Sequence, residues 1–285
     1  MIQANALKSW KAIPEISEII LFGSDEGVAA AAQAHQVGHD PGIQRNEFGT
    51  PLIHDVFARA QQQAKNPLLC YINADILLTS SFGKVVREIV WKEYLLVGRR
   101  RDLDVQKEIL FWDAAAEKLL LDECGRHGKL HSATGIDYFV FSKNLFLTIP
   151  PFAVGRTSWD NWLIYRARSL KKPVIDATNG ICAVHQNHGY EASVVSKHKW
   201  TGPEVRRNLE LAGDLDYCFT IDDADWFWRD GDLRRRTGIK VCVRHISRWP
   251  ALHKTDALWG GIARLVLAVK KVLRRFFRAL RRSPN

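Results

Sequence analysis

Asn73, Ala74 and Asp75 interrupt the apolar run YINADILL between Tyr71 and Leu78. Leu68 to Ile72 reads as a fully buried strand, so Asn73 and Asp75 emerge where that strand leaves its sheet, the position at which open α/β sheets present ligands. A carboxylate there, with a polar partner two residues earlier, can hold a hard divalent cation whose other positions go to water and a diphosphate. Taken alone, the same residues also read as a strand followed by an Asx turn.

Further clusters could share in that chemistry. Gly23-Ser24-Asp25-Glu26 follows an apolar strand and leads into a helix; its acids could receive a base or a ribose, and Ser24 or Asp25 could equally cap the helix. In Gly135-Ile136-Asp137-Tyr138-Phe139-Val140-Phe141, a glycine and an acid stand at the entry of an apolar strand. Gly135 would allow close approach of a substrate or simply make a turn. Ser158-Trp159-Asp160-Asn161-Trp162 reads as a capped helix start with Asp160 in its first turn, where the helix dipole keeps a carboxylate ionised. Between two tryptophans, Asp160 suits a general base beside a sugar, although both rings also suit a core. His185 and His188 leave the end of a strand, where an imidazole could complete a metal site opposite Asp75. Two histidines without a third close ligand do not make a zinc site.

These residues need elements to hold them, and the hydrophobic periodicity alternates between helix and strand. Helices are expected at Asn5–Ile13, Asp25–His35, Pro51–Ala64, Phe82–Val90, Asp113–Glu123, Trp159–Leu170 and Glu204–Ala212. Strands are expected at Ser17–Phe22, Leu68–Ile72, Tyr94–Val97, Asp137–Phe141, Pro173–Ile175 and Ile181–His185. Gly213 to Lys254 lacks clear periodicity and is expected to wrap the core as irregular structure. Right-handed α/β units begin with a strand, yet the first helix starts almost at Met1. Either the sheet lacks its first strand or the sequence begins downstream of its natural start; the expectation favours the second.

The 285 residues, 46% of them hydrophobic, are enough for one large core with appendages. Of the net charge of +10, eight bases lie beyond Ala257, where there is no acid, leaving 33 bases against 31 acids before it. From Leu258 to Arg282 a helix would place Leu258, Ile262, Leu265, Val269, Val272, Leu273, Phe276 and Leu280 on one side and all eight bases on the other. Such a helix suits an anionic membrane surface; its continuous apolar face argues against a nucleic-acid partner, while docking onto the chain's own core is the alternative. Five widely spaced cysteines fit a reduced compartment, and no signal peptide or membrane span is legible, so a cytoplasmic location, peripheral on the inner membrane, is expected.

The ordered series NALKSW, EIILFGSDEGV, YINADILL, GIDYFVF, WDNWL and VHQNHGY resembles bacterial GT-A-type glycosyltransferases, the nucleotide-diphospho-sugar transferases, over roughly residues 5 to 190. The resemblance implies a GT-A-like open, mostly parallel Rossmann-like sheet flanked by helices, here lacking the first strand and followed by a C-terminal amphipathic helix. Three segments are expected: 1–212 the transferase domain, 213–256 the irregular wrapping segment, 257–285 the cationic amphipathic helix. In that family an Asp-X-Asp motif closes a strand and grips the sugar-nucleotide diphosphate through Mn²⁺ or Mg²⁺. Asn73-Ala74-Asp75 takes that place, with Asn73 costing one charge. Asp25, Asn73, Asp75, Gly135 and Asp137 then become nucleotide-sugar-binding candidates, Asp160 the base that deprotonates an acceptor hydroxyl, and Asp75, His185 and His188 the metal ligands. A glycan or lipid-linked acceptor would be the second substrate. The competing expectations are an impaired or truncated transferase fold acting as a membrane-associated binding module, and a nucleotidyltransferase.

Overall fold

Ile136–Ser142 is buried along its whole length, as only a strand covered on both faces can be. It becomes β8, one strand in from the edge of a six-stranded sheet in the computed structural model, which describes residues 1–111, 113–188, 201–253, 261 and 265. The other strands of that sheet are β3 (Leu68–Ile72), β5 (Leu95–Arg99), β9 (Val174–Asp176), β11 (Trp226–Arg229) and β12 (Asp232–Arg235), in the order β12-β11-β9-β5-β8-β3. Strands β3, β5, β9 and β11 share one direction, while β8 runs against both its neighbours and β12 returns from β11 through a hairpin, so four of the six strands point the same way.

Two smaller sheets accompany it. β4 (Ile76–Leu78), β10 (Ala183–Gln186), β6 (Arg101–Leu103) and β7 (Lys129–Leu130) form a four-stranded sheet in the order β4-β10-β6-β7. β1 (Ile20–Phe22) and β2 (Gly38–Asp40) pair in parallel by themselves. Eight α-helices lie among the described residues: α1 (Ile2–Lys11), α2 (Val28–His35), α3 (Ile53–Gln63), α4 (Ser80–Glu88), α5 (Ala114–His127), α6 (Trp159–Ser169), α7 (Pro203–Ala212) and α8 (Ile239–Leu252).

The expected α/β alternation is present, with three corrections. β3 is an edge strand, only partly buried, because β8 is its one partner. Its apolar composition suits a central strand equally well; the open side faces a large cavity instead, and β1 also lines that cavity. α2 begins at Val28, later than expected, on Gly27 in the left-handed region (φ 85°), with no side chain of the turn capping it. Finally, residues 213–253 are not irregular. Asp230 and Gly231 both have positive φ (54° and 82°), the two-residue hairpin geometry whose Asp-Gly signal stands in the sequence, and they turn β11 into β12. Phe219, Ile221, Ala224 and Trp228 are buried, so this stretch adds strands to the sheet. The chain divides into units 1–234 and 235–285, and the first therefore takes in residues beyond 212. The cationic helix expected at 257–285 lies outside the described residues apart from 261 and 265; among the described residues no helix is long and apolar enough to cross a membrane.

The NALKSW segment has a structural task that its composition does not disclose. α1 buries Asn5, Ser9 and Trp10 and commits their polar atoms to backbone at the site. Trp10 Nε1 donates to the Ile76 carbonyl at 2.9 Å, and Ser9 Oγ accepts from the Leu78 amide at 3.1 Å. Asn5 Nδ2 donates to Gln186 Oε1 at 3.1 Å, and the buried Gln186 amide donates to the carbonyls of Ile2 and Asp75. Buried polar side chains are stable when so satisfied, and here they fix the backbone from Asp75 to Leu78.

Candidate metal and diphosphate site

The chain changes sheets between Ile72 and Ile76, leaving the six-stranded sheet at β3 and entering the four-stranded sheet at β4. Residues two apart would share a face in one continuous strand. The crossover instead separates Asn73 from Asp75. Asn73 stays with the large sheet: its amide donates to the Asp137 carbonyl at 3.0 Å, and its Nδ2 donates to Asp137 Oδ1 at 2.7 Å. Asp75 goes with the small sheet, where His185 of β10 is paired with Ile76 of β4.

Both imidazoles aim at one carboxylate oxygen. His185 Nε2 and His188 Nε2 each lie 3.3 Å from Asp75 Oδ2, and the two rings are 5.6 Å apart. One ligand atom from each of the three residues falls within 4.8 Å of the others. Asp75 Oδ1 and both ring nitrogens of His185 are buried without a hydrogen-bond partner, since the approaches of His185 to Asp75 and to Asp102 have ion-pair distance but not hydrogen-bond alignment. Orphaned buried lone pairs around one point are what a bound cation would satisfy, and these residues fit one. Burial raises the Asp75 carboxyl, but His185 and then His188 outweigh it and hold the group below the usual carboxylate range.

Around this trio stands a polar frame that no local sequence pattern reveals. Asp102 of β6 is in register with His185 and comes within 3.2 Å of its Nδ1. The same carboxylate meets His131 Nδ1 at 2.8 Å and accepts from Arg100 Nε at 2.8 Å, while Arg100 Nη1 donates to Asp137 Oδ2 at 2.6 Å. Arg100 thus links Asp102 to Asp137, whose two oxygens are both engaged. The one available signal is Arg99-Arg100-Arg101-Asp102 at the end of a buried strand, a costly place for charges without partners.

Asp160 occupies the first turn of α6, as expected, and accepts from the Asn161 amide at 2.9 Å. Ser158 does not cap this helix; it sits at φ 85°, an unfavourable conformation for serine, and its carbonyl accepts from the Trp162 amide at 2.8 Å. The tryptophans are core residues, 5% and 8% exposed, with Trp159 packed on Tyr71 and Phe139 and Trp162 on Phe152 and Tyr165. They do not stand as open faces for a sugar. Tyr71 ties Asp160 to the other acids: burial pushes its phenol up, and the charges of Asp137, Asp75 and Asp160 push it further. Asn161 Nδ2 is buried without a partner at the same wall.

Gly135 and Asp25 are placed differently from each other. A Cβ on Gly135 would sit 2.0 Å from His131 Cδ2, so the missing side chain makes room for His131. Asp25 is exposed and pairs with Arg45 Nη2 at 2.8 Å on the far rim. All the sequence candidates except the buried His185 line one cavity of about 1840 Å³, together with Arg45, Arg100 and Arg156. That volume exceeds the range typical of small-ligand pockets.

No family model matches the chain, and no curated protein does. Among solved structures, glucosyl-3-phosphoglycerate synthase from Mycobacterium tuberculosis in complex with phosphoglyceric acid is similar, with a TM-score of 0.44 and 15% identity over 75% of this chain and 77% of that one. The same synthase with Mn²⁺, UDP-glucose and phosphoglyceric acid gives 0.42 and 15%, over 75% and 76%. A mycobacterial protein gives 0.43 and 13%, over 76% and 70%.

Proposed function

We propose that this chain is a metal-assisted glycosyltransferase that takes its sugar from a nucleotide diphosphate and gives it to an acceptor hydroxyl. The observation that carries the reading is the convergence of Asp75, His185 and His188 on one point, with two buried ligand atoms unsatisfied, in the wall of a cavity that also holds Asp160. A divalent cation bound there would offset the charge of the departing diphosphate. Two imidazoles with one carboxylate favour Mn²⁺ over Mg²⁺, which prefers oxygen ligands.

The chain's own residues do the rest. Asp75 supplies the one negative charge of the ligand set. Asp102, 3.2 Å from Nδ1 of His185, stands behind the ring on the side away from Asp75, where it can orient the imidazole toward a cation. Asn73 and Arg100 hold Asp137 at the mouth of β8. Asp160, kept ionised by the start of α6, accepts the acceptor's hydroxyl proton as the new glycosidic bond forms, which implies one displacement with inversion.

The test is calorimetric titration of several nucleotide sugars with and without Mn²⁺. Metal-dependent binding that Asp75→Asn abolishes is expected, and binding indifferent to both would overturn the reading. A second reading, a binding protein without turnover, draws on the open edges of β3 and β1 in the cavity wall. Metal-dependent binding without sugar release to water or to any hydroxyl acceptor would favour it.

A further inference from the structure

Two of the five cysteines face each other. Cys182 Sγ donates to Cys124 Sγ at 3.9 Å, and no other cysteine pair among the described residues is in contact. We propose that Cys124 and Cys182 form a redox modification site, a dithiol that a small hydroperoxide closes to a disulfide and a thiol reductant reopens.

The surroundings are arranged about the two sulfurs. Cys182 immediately precedes β10 and its backbone is fixed: its amide donates to Ser81 Oγ at 3.0 Å and its carbonyl accepts from Thr79 Oγ1 at 3.4 Å. Cys124 lies in the last turn of α5, where its carbonyl accepts from the Gly128 amide at 3.0 Å. A Cβ on residue 128 would come within 2.9 Å of the Cys124 sulfur, so glycine keeps that space clear. A disulfide needs the sulfurs at about 2.05 Å, a closure of roughly 2 Å that side-chain rotation and small backbone shifts provide. The shared proton divides the roles. The hydrogen bond from Cys182 brings the Cys124 thiol down to about 7, assisted by the Arg101 charge, while donating that bond and burial push the Cys182 thiol up.

The attack is assigned to Cys124, whose sulfur receives the Cys182 hydrogen bond at 3.9 Å and whose burial admits only a small peroxide. Its thiolate attacks one peroxide oxygen, the O–O bond breaks, and the other oxygen leaves with a proton as water or an alcohol, giving a sulfenic acid. The Cys182 sulfur then attacks the Cys124 sulfur. An S–S bond forms, the S–O bond breaks, and the Cys182 proton leaves with the hydroxide as water. Two thiols have lost two electrons and the peroxide has gained them. The new bond joins α5 to the strand that carries His185.

The test uses the full chain with Cys70, Cys218 and Cys242 changed to serine, titrated with hydrogen peroxide and followed by thiol counting, sizing and non-reducing peptide mass mapping. Both remaining thiols are expected to disappear together from a monomer, to appear as one cross-linked peptide pair, and to return with dithiothreitol. Adding Cys182→Ser should leave a sulfenic acid on Cys124 that dimedone traps. Two thiols that survive peroxide levels sufficient to oxidise the exposed Cys242 of the unaltered chain would overturn the proposal. So would a sulfinic acid at Cys124 with no cross-link. If the triple variant does not fold, peptide mapping of the unaltered chain under the same conditions distinguishes the same outcomes.

Discussion

His185 lies in register with Asp102 across the parallel pair β10 and β6, and its opposite ring nitrogen is turned to Asp75. A histidine set between two carboxylates is restricted in orientation, and the carboxylate behind such a ligand supports its hold on a cation. Asp102→Asn should therefore weaken Mn²⁺ binding by about 10- to 100-fold without unfolding the chain. Asp75→Asn and His185→Ala should abolish it. Isothermal titration with Mn²⁺, alongside circular dichroism for the fold, checks the three variants together.

Asp160 is placed as the base and not as a ligand, since it stands apart from the metal trio on α6. Asp160→Asn should cost about 10²- to 10⁴-fold in kcat with the affinity for nucleotide sugar kept. A parallel loss of binding would reassign it to substrate contact.

Gly135 and His131 compete for one space, and His131 also meets Asp102. Gly135→Ala should displace the imidazole and destabilise the chain by about 1–3 kcal/mol, the usual cost of overpacking. Adding His131→Ala should restore much of that loss. Urea unfolding of the single and double variants measures it.

Glu204 of α7 accepts from Asn46 Nδ2 at 2.7 Å and from Arg156 Nη2 at 2.6 Å, and both charged side chains are more than nine-tenths buried. Burial raises the Glu204 carboxyl, but hydrogen bonds from Asn46, Thr50 and Arg156 outweigh it and hold the group below 4.5. A carboxyl with a lowered folded value lends stability that is present above its unfolded value and lost as pH falls through the folded one. Stability should thus begin to fall below about pH 4.5 and continue downward, and Glu204→Gln should flatten that limb. Glu204→Ala should cost about 3–5 kcal/mol at neutral pH, because it leaves Arg156 buried and unpaired. Thermal unfolding across pH reads both effects.

The segregation of bases and apolar residues over 258–282 remains a sequence argument for an anionic membrane surface. The full chain should co-sediment with phosphatidylserine vesicles and a chain ending at residue 256 should not, with salt weakening the former. Equal recovery of the two would discard the idea.

Periodicity locates the helices and most strands because each buries one face, and it brings Asp75, His185 and His188 to strand ends. It misjudges β3, since an apolar edge strand beside a cavity has the same composition as a central one. It cannot show that the chain changes sheets between Asn73 and Asp75, a long-range pairing choice that turns Asn73 to Asp137. Asp102, Arg100 and His131 escape notice because their importance lies in cross-strand register, which local pattern does not encode. Trp159 and Trp162 are legible only as core or surface, and packing decides for core.

The most direct measurement is pulsed electron paramagnetic resonance of Mn²⁺ bound to the chain, which counts nitrogen ligands on the metal. Two imidazole nitrogens are predicted in the unaltered chain and one in either His185→Ala or His188→Ala where residual metal binds. Mn²⁺ bound without nitrogen ligands, or with couplings unchanged by both substitutions, would contradict the account.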